Sequence, residues 1–141
     1  MSKAKSGWFK SNEKNGEKLI KEAENNGEKI TANDVVGIMK TNSGKIIWLE
    51  KGSNNGGLKH IIDAHGDQFE KAGVPKEDIS SFVLNAVAFG EIVGYQGKGI
   101  TRPIYHYVYG GKNYYVAVTV GGNGFIVGAN IRNGGKKDEN N

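Results

Sequence analysis

The stretch Pro103–Ile131, PIYHYVYGGKNYYVAVTVGGNGFIVGANI, decides the fold of this chain. β-branched and aromatic residues fill three runs within it, and a fourth such run, Glu91–Tyr95, precedes it. The last three runs are separated by Gly-Gly-Lys-Asn and Gly-Gly-Asn-Gly, which are typical of hairpin turns. The pattern predicts an antiparallel meander of four to five strands, in which Gly121–Gly124 is a turn rather than a nucleotide-binding loop.

Upstream of the meander the apolar spacing becomes helical. Ile79–Phe89 predicts one helix, and Leu58–His65 predicts a shorter one that Gly66 stops. Before them, Val35–Met39 and Ile46–Leu49 predict two short strands around a turn. Helices followed by an antiparallel meander indicate an α+β fold, with helices packed on one face of a twisted sheet.

The two ends of the chain are polar. Residues 1–30 form a Lys-, Asn-, Glu- and Gly-rich extension, in which Glu13–Glu24 has the spacing of an amphipathic helix. We expect the folded domain to span residues 31–131 and the polar residues 132–141 to be a disordered tail.

The composition narrows the class of protein. Lys and Arg (19) outnumber Asp and Glu (15), and the resulting charge of +4 suits a polyanionic partner without requiring one. The chain has no Cys, which excludes disulfide scaffolds and thiolate metal sites. No apolar run reaches the roughly 18 residues of a membrane-spanning helix, so we expect no membrane span. The common nucleotide, zinc, calcium and serine-hydrolase motifs are absent, and we expect neither cofactor nor metal.

The residues best suited to chemistry lie in Gly57–Gly66, GLKHIIDAHG. Histidine exchanges protons near neutral pH, so His60 and His65 could divide the roles of acid and base. On an ideal helix, however, their side chains point about 140° apart and do not share one site. His65 falls on the apolar face, where a structural histidine is the commoner case. His60 follows a glycine-rich loop, and spacing leaves it open between a surface residue and a site residue approached by flexible backbone.

The meander carries a second set of candidates. Strand alternation places Tyr105 and Tyr107 on one face, where they could stack on bases or cover a half-buried sheet. Arg102 lies in a loop, where its guanidinium could clamp a phosphate or be solvated. The set also includes His106, Tyr109, Tyr114, Thr119 and Asn123.

Together these motifs resemble the C-terminal nuclease domains of bacterial polymorphic and contact-dependent growth inhibition toxins, in the barnase, EndoU and colicin-like fold group. The likeness rests on Gly57–Ile61 with His65, on Arg102–Tyr105 and on Asn123–Val127. It extends over roughly Val35–Ile131, about two thirds of the chain.

The resemblance implies an RNase that is exported as part of a larger toxin and acts in the target-cell cytoplasm. It implies RNA as the substrate, tRNA above all, an acidic immunity protein as a partner, and leaves open a host elongation factor as a helper. Such enzymes need no metal: a base takes the 2′-hydroxyl proton and an acid protonates the leaving 5′-oxygen, which leaves a 2′,3′-cyclic phosphate. The implied catalytic residues are His60, His65, Arg102, Tyr105 and Thr119, and the implied substrate-binding residues are Lys59, Tyr107 and Asn123.

Two non-catalytic interpretations stay open. A basic α+β domain with structural histidines could bind RNA through its tyrosine face, with salt-sensitive affinity and no cleavage. The same face could instead bind a protein, with the positive charge serving solubility alone. The motif Lys59–His65 after a glycine-rich loop favours the enzyme, because a binding module has no need of it.

Overall fold

The structure, a computed structural model, describes residues 13–97 and 102–132. The tail expected from residue 132 lies outside these ranges except for Arg132, which ends the last strand. The helices are α1 (Glu13–Asn25), α2 (Leu58–Ala72) and α3 (Ile79–Phe89). The strands are β1 (Val35–Lys40), β2 (Ile46–Glu50), β3 (Glu91–Tyr95), β4 (Pro103–Tyr109), β5 (Lys112–Val120) and β6 (Ile126–Arg132). The fold is therefore α+β, and none of the helices in the described ranges is long and apolar enough to cross a membrane.

The predicted meander is confirmed as one antiparallel sheet with the strand order β3-β4-β5-β6. Ala117 of β5 pairs with Asn130 of β6, which sets the register between these two strands. The turn at Gly121–Gly124 is also confirmed, because the amide of Gly121 donates to the carbonyl of Phe125 across it (2.8 Å).

The predicted hairpin is confirmed as β1 and β2, which form a separate two-stranded sheet rather than a fifth strand of the meander. The amide of Trp48 donates to the carbonyl of Gly124 (3.0 Å), and the Trp48 ring packs edge-on against Phe125. The amphipathic helix expected in the polar extension is present as α1. Its residues Ile20 and Ala23 join Trp48 in a buried cluster, so the extension takes part in the fold from this helix onward.

The two faces of the meander differ in what covers them. Tyr105 and Tyr107 point to the face that α3 covers, where Phe82 packs edge-on against Tyr107, Tyr109 and Tyr114 at centroid distances of 5.7, 5.3 and 5.3 Å. Each such contact adds about 1 kcal/mol to the burial of the rings. The opposite face, which we term the outer face, carries the alternate residues Ile104, His106, Thr119, Gly128, Asn130 and Arg132.

α2 is longer than the sequence predicts, because Gly66 does not stop it. The helix continues to Ala72 and ends at Gly73, whose left-handed backbone (φ 105°) is the usual helix terminator. Glycine within a helix costs about 1 kcal/mol relative to alanine. Phe69, one turn after Gly66, is fully buried in the core, and its burial outweighs that cost.

α2 lies along β6, the edge strand of the meander. The side-chain oxygen of Gln68 accepts a hydrogen bond from the amide of Ile131 (2.8 Å), so the helix satisfies a backbone donor of this edge. α2 and β6 run in the same direction, since Gly57 at the helix start bonds to Val127 and Gln68 bonds further along the strand. The start of α2 is thereby held beside the outer face of the sheet.

Candidate active site

The loop before α2 is closed by backbone hydrogen bonds within it and to the sheet. The amide of Ser53 donates to Gly56 (2.9 Å), and the amide of Gly57 donates to Val127 of β6 (3.0 Å). Gly52 and Gly57 have φ of 77° and 91°, and a Cβ atom at Gly52 would lie 2.1 Å from the carbonyl oxygen of Gly56. The tight closure therefore requires glycine at these positions, and it fixes the loop against the edge of the sheet.

This loop orients His60. The Nδ1 atom of His60 lies 3.0 Å from the carbonyl oxygen of Asn54. Because a carbonyl only accepts, Nδ1 carries the proton and Nε2 is the ring nitrogen left for proton exchange. The ring faces β6, where a Cβ atom built on Gly128 would lie 3.5 Å from Cδ2 and 3.7 Å from Nε2 of His60. Since Gly128 has no side chain, a gap about the size of a methyl group lies beside Nε2.

Arg102 reaches the same place from the other side of the outer face. Its Nε donates to Oγ1 of Thr119 (2.5 Å) and its Nη1 donates to Oδ1 of Asn130 (2.9 Å). Its Nη2 lies 3.5 Å from the position of a Cβ atom at Gly128. His60 and Arg102 thus meet over Gly128. Burial lowers the pKa of Arg102, but a guanidinium stays charged at physiological pH.

A pair of amides holds the arginine in place. Asn130 is a nearly buried polar residue with 8% exposure. Its Oδ1 accepts from Arg102 and from Nε2 of Gln96 (3.2 Å), and its Nδ2 donates to Oε1 of Gln96 (3.0 Å). A buried amide bonded on both sides has one favourable orientation, so it fixes the guanidinium that it contacts.

His65 lies within electrostatic reach of both groups. Its pKa is lowered, first by partial burial and then by the positive charges of Arg102 and His60. Helical spacing separates the two histidine side chains, and the positive charge of Arg102 nevertheless acts on His65. The Arg102 side chain bonds to Thr119 of β5 and to Asn130 of β6, and it therefore extends across the sheet toward α2.

The lowered pKa of His65 predicts a dependence of stability on pH. In the unfolded chain the pKa is near 6.5, so as the pH falls below about 6.5 the unfolded state binds the proton first and folding loses free energy. Above that pH the contribution is fully present. We expect the free energy of unfolding of the wild type to fall more steeply from about pH 7 to pH 5 than that of His65→Gln, in urea unfolding at a series of pH values. Parallel curves for the two proteins would contradict this.

His60, Arg102 and Thr119 lie together near Gly128, and we term this group the cluster. The structure does not bring Tyr105 and Tyr107 into the cluster. Both point to the face of the sheet that α3 covers, where Tyr105 is 7% exposed and Tyr107 packs against Phe82. Burial raises the pKa of both hydroxyls. The sheet-covering alternative is therefore the correct one for these tyrosines, because α3 occupies the face on which they could have stacked bases.

Lys59 and Asn123 also lie apart from the cluster. The ammonium group of Lys59 forms an exposed ion pair with Asp63 one helical turn away (2.8 Å). Oδ1 of Asn123 accepts from the amide of Phe125 (3.1 Å), so its side chain serves the β5–β6 turn. Of the eight site residues that the resemblance implies, the structure brings together His60, Arg102 and Thr119, and His65 is linked to His60 and Arg102 by electrostatics alone.

Sequence reasoning missed Asn130 and Gln96. Asn130 sits between the apolar residues Ala129 and Ile131 of a strand, where a polar side chain is uncommon, and this was the available signal. Gln96 carries no such signal, since it follows a strand in a polar segment. Among the described residues no group of three or more His, Cys, Asp or Glu could hold a metal ion.

Comparison of the chain with protein-family models finds no match, and neither does comparison with curated proteins. The geometry of the cluster therefore carries the argument about function.

Proposed function

We propose that this protein is an endoribonuclease that cleaves RNA by acid–base transesterification without a metal ion. The observation that carries the proposal is the meeting of His60 and Arg102 over Gly128, with His65 in electrostatic reach. An imidazole and a guanidinium, which can exchange a proton and bind a phosphate, are held by hydrogen bonds on the two sides of Gly128.

We assign the role of base to His65 and the role of acid to His60. His65, whose lowered pKa favours the neutral ring, takes the proton of the 2′-hydroxyl. The 2′-oxygen attacks the phosphorus, the bond from phosphorus to the 5′-oxygen breaks, and protonated His60 gives the Nε2 proton to that oxygen. The products are a 2′,3′-cyclic phosphate and a 5′-hydroxyl. Arg102 contributes charge-assisted hydrogen bonds to the phosphate oxygens as negative charge develops on them.

The biological setting is proposed on the resemblance to toxin nuclease domains. We propose tRNA as the RNA, export within a larger toxin, action in the target-cell cytoplasm and inhibition by an acidic immunity protein. The net charge of +4 supports both proposed partners, because tRNA and an acidic immunity protein are negatively charged.

The test is incubation of the purified protein with total tRNA in EDTA, followed by sizing and end-group analysis. We expect discrete fragments with 2′,3′-cyclic phosphate and 5′-hydroxyl ends, and no cleavage of an oligonucleotide with 2′-deoxy substitution at the cut position. A bacterial lysate added to the same reaction supplies any host protein that the enzyme needs. If the RNA stays intact both without and with the lysate, the result favours a non-catalytic RNA-binding domain. Cleavage of DNA would contradict the 2′-hydroxyl mechanism.

Asn130 is expected to act on this reaction by positioning Arg102. Asn130→Ala leaves Nη1 of Arg102 without this acceptor, and we expect kcat to fall about tenfold and the protein to lose about 1–3 kcal/mol of stability. Asn85→Ala is the matched control, because Asn85 is also nearly buried (6% exposed) and donates to Ser81 (2.8 Å) in α3. It should lose similar stability in urea unfolding and keep wild-type kcat. Equal kcat losses in the two variants would assign Asn130 a purely structural role.

A further inference from the structure

A second basic feature lies beyond the cluster, at the far end of the same helix and strand. A cavity of about 550 Å³ opens between the end of α2 and the end of β6. It is lined by Gln68, Lys71, Ala72, Ile131 and Arg132. Two of the lining residues are cations, and none is an acid.

The cavity continues the line of the candidate active site. At 100° per residue, Lys71 lies within about 20° of His60 around the helix, so both belong to the same side of α2. On β6, Gly128 and Arg132 both belong to the outer face. From His60 to Lys71 the helix rises about 16 Å. From Gly128 to Arg132 the strand rises about 13 Å. The cavity and the site at Gly128 thus lie along the same pair of elements, α2 and β6, one near the end of each element and the other near its start.

The charge of Lys71 is not cancelled by an ion pair within α2. Asp63 and Asp67 pair with Lys59 (2.8 Å) and Lys76 (3.9 Å). Glu70 lies about 100° around the helix from Lys71. Lys71 itself is exposed and forms no ion pair among the described residues.

We propose that this cavity is a second phosphate-binding site, which holds the RNA backbone at a nucleotide away from the cleaved bond. The proposal rests on the proposed function for the nature of its ligand. A span of more than 10 Å between the two sites means that the substrate is an RNA chain of several nucleotides, and that a dinucleotide gains nothing from Lys71. Lys71 binds substrate here and takes no part in bond cleavage.

Binding of a short, fluorescein-labelled 2′-O-methyl oligoribonucleotide tests this site without cleavage, by fluorescence anisotropy at several salt concentrations. We expect Lys71→Gln to weaken binding about three- to tenfold and to lower the salt slope by about 0.7. Lys71→Arg should bind like the wild type. Lys21→Gln is the control, because Lys21 is an exposed lysine on α1. In cleavage assays, Lys71→Gln should raise KM for an oligonucleotide, leave its kcat unchanged and leave dinucleotide cleavage unchanged.

The outcomes separate this inference from the proposed function. If Lys71→Gln binds the oligonucleotide as the wild type does, or if the wild type does not bind it, the cavity is not a phosphate site, whatever the cleavage assay gives. If binding depends on Lys71 while RNA stays intact, the second phosphate site stands and the catalytic proposal fails.

Discussion

His60→Ala should lower kcat for RNA cleavage by about 10²- to 10⁴-fold, the range for loss of a group that transfers a proton in the transition state. The reason is specific to Nε2. The other ring nitrogen, Nδ1, is bonded to the carbonyl of Asn54 (3.0 Å), and Nε2 faces the gap beside Gly128. Single-turnover cleavage of a labelled RNA measures the chemical step, and the KM of the variant should change little.

His106→Ala is the control for this experiment. His106 is also hydrogen-bonded, with Nε2 2.7 Å from Oδ1 of Asn113, and it lies on the outer face in β4. It belongs to a different part of that face from the cluster at Gly128, so we expect kcat near that of the wild type. A loss of only a few-fold in His60→Ala, or an equal loss in His106→Ala, would mean that His60 packs rather than transfers a proton.

The elements that could be predicted from the sequence are those with a strong local period. The meander, the hairpin and the helix Ile79–Phe89 all follow from apolar spacing over a few residues and from the turns between them. The end of α2 could not be predicted in this way. The stop signal at Gly66 is local, whereas the burial of Phe69 that overrides it depends on packing against residues distant in sequence.

The candidate site was predictable only in part, for a related reason. Strand alternation correctly groups Tyr105 with Tyr107, but it does not say which face of the sheet a helix will cover. Helical spacing likewise does not show that Arg102, more than 40 residues further along the chain, lies beside His60. The contacts of Arg102 with Thr119 and Asn130 join three different strands or their flanks, and only the register of the sheet brings them together.

Arg102→Lys should lower kcat by about 10²- to 10³-fold, although it keeps the positive charge. Arg102 uses Nε and Nη1 to bind Thr119 and Asn130, and this leaves Nη2 beside Gly128 to meet a phosphate. A lysine ammonium is a single point of charge and cannot make these contacts in one plane. The expected loss is that of a preorganised donor to the developing negative charge, and thermal unfolding should show that the variant is folded.

A double-mutant cycle that combines Arg102→Lys with Asn130→Ala tests whether Asn130 affects kcat by orienting the guanidinium of Arg102. If Asn130 acts only by orienting the guanidinium, its tenfold effect on kcat requires that guanidinium to be present. Asn130→Ala should then cost about tenfold in the wild type and close to nothing in Arg102→Lys, so that the two effects are far from additive. Additive effects would mean that Asn130 contributes to cleavage independently of Arg102. Wild-type kcat in Arg102→Lys would mean that the cluster needs only a positive charge at this position, not a planar donor held by Thr119 and Asn130.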